Sequence, residues 1–134
     1  MVTLHILQLL QDNSFGVIDA TSNGLFYESL PLDVTGVAIY SRGTSLERGK
    51  VTTQSFDLYS RGKTNLLGAD KLEKILSYFK DNFVQCQLPT TPKSLKKYLA
   101  TTITPTSNVE NLGLDENDRV VFRVSADIKY KLGE

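Results

Sequence analysis

The chain has 134 residues, with 15 Lys plus Arg balancing 15 Asp plus Glu, 40% hydrophobic residues and a single cysteine. That length reads as one domain over residues 1–134, able to bury roughly 68–70% of the surface the unfolded chain exposes. Balanced charge removes any global field toward nucleic acid or anionic lipid. Cys86 alone excludes an internal disulfide and leaves a zinc site without its usual thiolates.

The elements follow in chain order. Residues 2–12 (VTLHILQLLQD) place Val2, Ile6, Leu9 and Leu10 on one side at helical spacing, and Asp12, Asn13 and Ser14 stop that amphipathic first helix. No basic region precedes it, and His5 interrupts its apolar positions, so it does not resemble a signal peptide. No apolar run reaches the ~18 residues of a membrane span. The expected setting is a soluble protein in a reducing cytoplasm. Val17–Ala20 and Leu25–Leu30 are short β-prone runs around the turn Ser22-Asn23-Gly24, closed by Pro31. Gly36–Arg42 and the longer Val51–Arg61 follow as strands, joined by a charged loop. The stretch 68–83 (GADKLEKILSYFKDNF) predicts the clearest helix, striped by Leu72, Ile75, Leu76, Phe79 and Phe83. Val84–Leu88 reads as a strand ended by Pro89, and Leu95–Thr104 is β-prone in its second half. Residues 108–119 read as loop, and Val120–Tyr130 alternates as a final long strand. This order predicts an α+β fold, an antiparallel or mixed sheet with two helices packed on one face.

The tetrapeptide Tyr-Ser-Arg-Gly occurs twice, at 40–43 and 59–62. If the strands carrying the copies pair antiparallel, Arg42 falls at the loop end and Arg61 at the opposite end, several residues away at ~3.3 Å each. The repeat therefore reads as a device for leaving a strand: a tyrosine suited to the sheet and a glycine that lets the chain turn out.

Chemistry is sparse. His5 has no acidic or nucleophilic neighbour in sequence and reads as a surface or half-buried residue. Cys86, in an apolar strand-like run, reads as a core thiol. Gly62-Lys63-Thr64 resembles the tail of a phosphate loop, but Asp57 stands where the earlier glycine belongs. Asp115-Glu116-Asn117-Asp118 lacks the ligand spacing of a calcium loop and reads as a solvated turn. No catalytic, cofactor-binding or metal-ligating set emerges. Basic residues gather at Arg42, Arg48 and Lys50 and again at Lys93, Lys96 and Lys97, while acidic residues gather at 110–118. Besides an ordinary charged surface, this separation suits phosphate contact or a head-to-tail contact between copies, which closes into a ring when the rotation allows.

Three segments together carry a resemblance. They are QSFDLYSRGKTNLLGADKLEKILSYF, with an Arg-Gly strand exit before an amphipathic helix, the turn and closing strand NLGLDENDRVVFRVSADIKY, and the short N-terminal helix ahead of them. They resemble the tail terminator family of long-tailed bacteriophages, often labelled minor capsid proteins. Where many relatives follow Asp-Glu-Asn with Gly-Arg, this chain has Asp118-Arg119, and an aspartate accepts the left-handed backbone of such a turn at some cost.

The resemblance implies a non-enzymatic virion protein assembled in the host cytoplasm. It would be a homo-oligomer, a hexameric ring, that caps the tail tube protein, stops its polymerisation and meets the head–tail connector or stopper protein. Viral DNA would pass through the lumen. Three cations in each of six copies would make about eighteen phosphate contacts, an obstructive binder at a salt slope of about −0.9 per contact. Arg42, Arg48 and Lys50 are therefore expected at protein interfaces rather than on DNA. Leu46 belongs to the same loop, 43–50, expected to leave the sheet. Asp115, Glu116 and Asp118 are expected on the opposing surface. Alternatives are another neck component, a small ligand-binding regulatory α+β domain, or a thiol enzyme built on Cys86.

Overall fold

The computed structural model describes residues 2–31, 34–46, 51–62, 64–115 and 118–133. Among them, helix α1 (Val2–Asp12) is followed by strands β1 (Val17–Ile18), β2 (Gly24–Tyr27), β3 (Gly36–Leu46) and β4 (Thr52–Arg61). Helix α2 (Asn65–Ser77) runs on into a π turn over Tyr78–Asn82. Strands β5 (Cys86–Gln87), β6 (Tyr98–Pro105), β7 (Glu110–Leu114) and β8 (Val120–Leu132) complete the order. The eight strands form one mixed sheet in the order β1-β2-β3-β4-β8-β6-β5, with β7 beside β8, curled into a half-barrel. The class is α+β.

Strands β1, β2 and β3 pair in parallel, and the remaining ladders are antiparallel. At the parallel junction Gly36 has φ 145, and a Cβ there would lie 2.1 Å from the Gly24 carbonyl oxygen. Only glycine lets the two backbones approach this closely. The long strand β8 is the spine. It pairs with β4 on one side, while β7 and then β6 share its other side.

Period-two alternation puts Phe56 and Leu58 of β4, Val37 and Ile39 of β3, and Phe122, Val124 and Ile128 of β8 into one core with residues of both helices. Each such side chain contributes about 1.5–3 kcal/mol on burial. Helix α1 is more enclosed than an amphipathic stripe predicts: Val2, Thr3, His5, Ile6, Leu7, Leu9 and Leu10 are all buried. It meets β1, β2 and β3, and His5 reaches the 89–94 loop. His5 is thus fully buried, not the surface or half-buried residue the sequence led us to expect. The loop that covers it lies far along the chain. Cys86 departs the other way, being only partly buried on a two-residue strand.

Thr64 caps α2, its side chain accepting from the Leu67 amide. The helix begins three residues before the predicted start at 68. Leu72 and Ile75 are fully buried, and the stripe continues through the π turn to Phe79. The turn closes with the Phe83 amide donating to the Tyr78 carbonyl at 2.8 Å. Two further expectations are corrected. Residues 110–114, read as loop, form β7, whose five residues are all exposed and so show no alternation. Residues 43–46 do not leave the sheet: β3 continues to Leu46, paired with Thr52, after a bulge between Ser41 and Thr44.

Candidate functional site

On the sheet face opposite Phe56 and Leu58, polar side chains of β3, β4, β7 and β8 form a connected layer. Arg42 Nε lies 2.9 Å from Asp57 Oδ1, and the Ser125 hydroxyl donates to the same carboxylate oxygen at 2.6 Å. The Ser55 hydroxyl donates to Asp127 at 2.7 Å. Arg123 pairs with Glu110 at 3.3 Å. The Tyr40 and Tyr59 rings meet edge-to-face at 5.0 Å. Register explains the grouping: Tyr40 lies across from Asp57, and Asp57 across from Ser125.

Arg61, at the far end of β4, is only 2% exposed. Its Nη1 donates to Asp115 Oδ2 at 3.0 Å, its Nε to the Val34 carbonyl at 3.2 Å, and its Nη2 to the Pro31 carbonyl. Asp115 in turn staples its own turn, accepting from the Arg119 amide at 3.0 Å through Oδ1. This guanidinium fastens Pro31, Val34 and Asp115 to the end of β4, where register already sets Arg61 beside Gly36 and Val121. Charge-assisted bonds of this kind are worth roughly 1.5–3 kcal/mol each when both groups are shielded.

The expected interface residues are now placed. Arg42 is on the polar face, 47% exposed at its side chain, and holds Asp57 rather than the 110–118 region of its own chain. Leu46 ends β3. Asp115 is engaged by Arg61, and Asp118 is exposed with φ 58, the left-handed backbone expected of that turn. Arg48, Lys50 and Glu116 lie outside the described residues. Lys93, Lys96 and Lys97 are exposed. The structure therefore brings together Arg61 and Asp115, a pair sequence reasoning did not make, and keeps Arg42 apart from Asp115.

Two concavities were not foreseen. A cleft of about 460 Å³ lies between α2, the end of β4 and residues 14–15 and 22–23, with Phe15, Asn23, Arg61, Asp70, Lys71 and Lys74 among its lining. Lys71 Nζ donates to Asn23 Oδ1 at 2.7 Å. Burial, aided by the charge of Lys74, pushes the Lys71 pKa down, and Lys74 itself pairs with Asp70 at 3.0 Å. A shallower groove of about 350 Å³ runs along Thr101–Pro105 of β6, walled by Phe79 and Lys80 of the π turn and by Phe83 just after it.

The remaining chemistry is structural. His5 Nδ1 lies 2.9 Å from the Pro89 carbonyl, which can only accept, so that nitrogen carries the proton; Nε2 accepts from the Ser94 hydroxyl at 2.9 Å. Burial lowers the His5 pKa and favours this neutral form. Burial raises the Cys86 pKa, disfavouring the nucleophilic thiolate. Among the described residues no His, Cys, Asp and Glu group is arranged to hold a metal ion, and no helix is long and apolar enough to cross a membrane. No protein-family model and no curated protein matches the chain.

Proposed function

We propose that this chain is a structural virion subunit, a tail terminator whose ring caps the tail tube, stops its polymerisation and offers the interface to the head–tail connector. The observation that carries the reading is a curled sheet with an unpaired strand edge at each side of the same rows. On one side the second half of β3 has only β4 as a neighbour, and on the other Thr101–Pro105 of β6 has only β8, among the described residues. Unpaired edges are what proteins usually protect, and an assembly subunit uses them. The sequence resemblance gives the class of assembly. The reading takes both helices to cover the face that carries Phe56 and Leu58, and leaves the Asp57–Arg123 face and the strand edges to tube, connector and neighbouring copies. DNA crosses the lumen without specific binding.

Electron microscopy of a phage lysate with an early stop in this reading frame tests it. Filled heads beside overlong, headless tails are expected. Normal-length tails beside unjoined heads would move the protein to another neck position, and intact infectious particles would end both assembly readings. A second reading, a small anion-binding regulatory domain, is favoured by the cleft at Lys71. It expects inorganic phosphate or a nucleotide to raise the melting temperature, and Lys71→Ala to abolish that rise.

A further inference from the structure

We infer that neighbouring copies join by strand addition: the free half of β3 in one copy, residues 42–46, pairs antiparallel with the free edge of β6, residues 101–105, in the next. This deepens the ring reading and rests on it.

Position is the first argument. Ser45 lies across from Thr53, Thr53 across from Lys129, and Lys129 across from Thr102. The two unpaired segments therefore occupy the same rows of the sheet at its opposite sides. Each is five residues long, about 16 Å of strand.

Direction is the second. β3 runs antiparallel to β4, β4 to β8, and β8 to β6, so β3 and β6 run in opposite senses. Copies related by rotation about an axis along the sheet keep their strand directions. The edge of β3 in one then meets β6 of the other as an antiparallel pair, the more stable kind of ladder. The contact is heterologous, so it can repeat around a ring.

The β6 edge is also built to accept. Its neighbour β5 stops pairing at Ala100, Thr101–Thr104 carry no charge, and Pro105, the one residue of the segment with no amide to donate, stands at its far end. The groove of about 350 Å³ walled by Phe79 and Phe83 runs beside this edge. Backbone hydrogen bonds supply the pairing, and the groove takes alternate side chains of the incoming strand. The π turn, a feature often found at functional positions, is what forms the wall.

The test uses the full chain with Cys86→Ser, Ser45→Cys and a second cysteine at either Thr102→Cys or Thr104→Cys, positions on one face of the paired strands. Mild oxidation, in solution and on purified tails, is expected to give a ladder of covalent oligomers that collapses on reduction. In the otherwise unaltered chain, Thr102→Lys with Thr104→Lys is expected to raise the concentration needed for assembly at least about tenfold, while the thermal melt stays unchanged because both threonines are exposed.

Oligomers that form without any cross-link overturn strand addition and leave the terminator reading standing. A dimer cross-linked by the Thr102→Cys change alone overturns it in favour of a β6–β6 contact. A chain with no cross-link on tails and up to its highest soluble concentration overturns it too. A cross-linked ladder in a protein whose loss leaves tails of normal length keeps the strand pairing and removes the terminator role.

Discussion

At 40–43 and at 59–62 the chain spells the same four residues, and the two tyrosine rings touch at 5.0 Å on one face of the sheet. The arginines that follow have opposite surroundings. Arg61 is 2% exposed and holds Asp115 and two backbone carbonyls. Arg42 stands half in solvent beside Asp57, in a bulge of a strand whose outer edge is open among the described residues. The second copy does end its strand, with Gly62 leading out of β4. The first copy does not: Gln54 Nε2 donates to the Arg42 carbonyl at 2.5 Å inside the bulge, and β3 goes on for three more residues. Identical local sequence thus makes a lock in one place and a surface group in the other. The difference comes from what the topology delivers to each position: Pro31, Val34 and Asp115 at one end and Asp57 at the other.

Substitutions test this contrast directly. Arg61→Ala leaves the Asp115 carboxylate and two carbonyls without their donor, and is expected to cost about 3–5 kcal/mol in urea unfolding. Asp115→Asn keeps an acceptor but strands the buried guanidinium charge, for about 2 kcal/mol by the same measurement. If Arg61→Ala were no worse than a surface change, the lock would be dismissed. Arg42→Ala removes a half-exposed guanidinium from a carboxylate that keeps the Ser125 hydroxyl, and is expected to cost about 1 kcal/mol, which high salt should shrink.

An intermediate effect separates pH from the arginine contrast, because a guanidinium keeps its charge at every working pH. The folded-state pKa of His5 is lowered from 6.5 by burial, so below 6.5 the unfolded chain binds the extra proton first. Stability from this group is full above the unfolded value and declines as pH falls through 6.5 toward the folded value. Urea midpoints measured at neutral pH and at about pH 5 should show that decline in the parent and in Arg42→Ala alike. The His5→Gln chain should lose the part of the slope due to the imidazole.

Much of the fold was legible, and particular residues show why the rest was not. Leu72, Ile75 and Phe79 announced α2 through helical spacing, and the alternation of β8 announced a long strand, because both signals are local. β7 was invisible since all five of its residues face solvent. The parallel pairing of β1, β2 and β3 left no mark, as no local pattern encodes a strand's partner. His5 was misread because its carbonyl partner lies 84 residues away, and Arg61 finds Asp115 across 54 residues. Of the expected interface residues, Arg42 holds Asp57 and Asp115 is held by Arg61, and neither partner is marked in the sequence. That assignment depends on tertiary proximity.

The central strand of the sheet comes after every other element in chain order. Until residues 120–132 are synthesised, β4 has no neighbour on its inner side, β6 has only the two-residue ladder of β5, and β7 has none. Sheet closure on a ribosome must therefore wait, with loop-closure entropy met late and long-range pairing setting a slow pace. A nascent chain stalled before Val120 would expose three open strands in the cell, and those, rather than any site on the finished protein, would make it a substrate for chaperones.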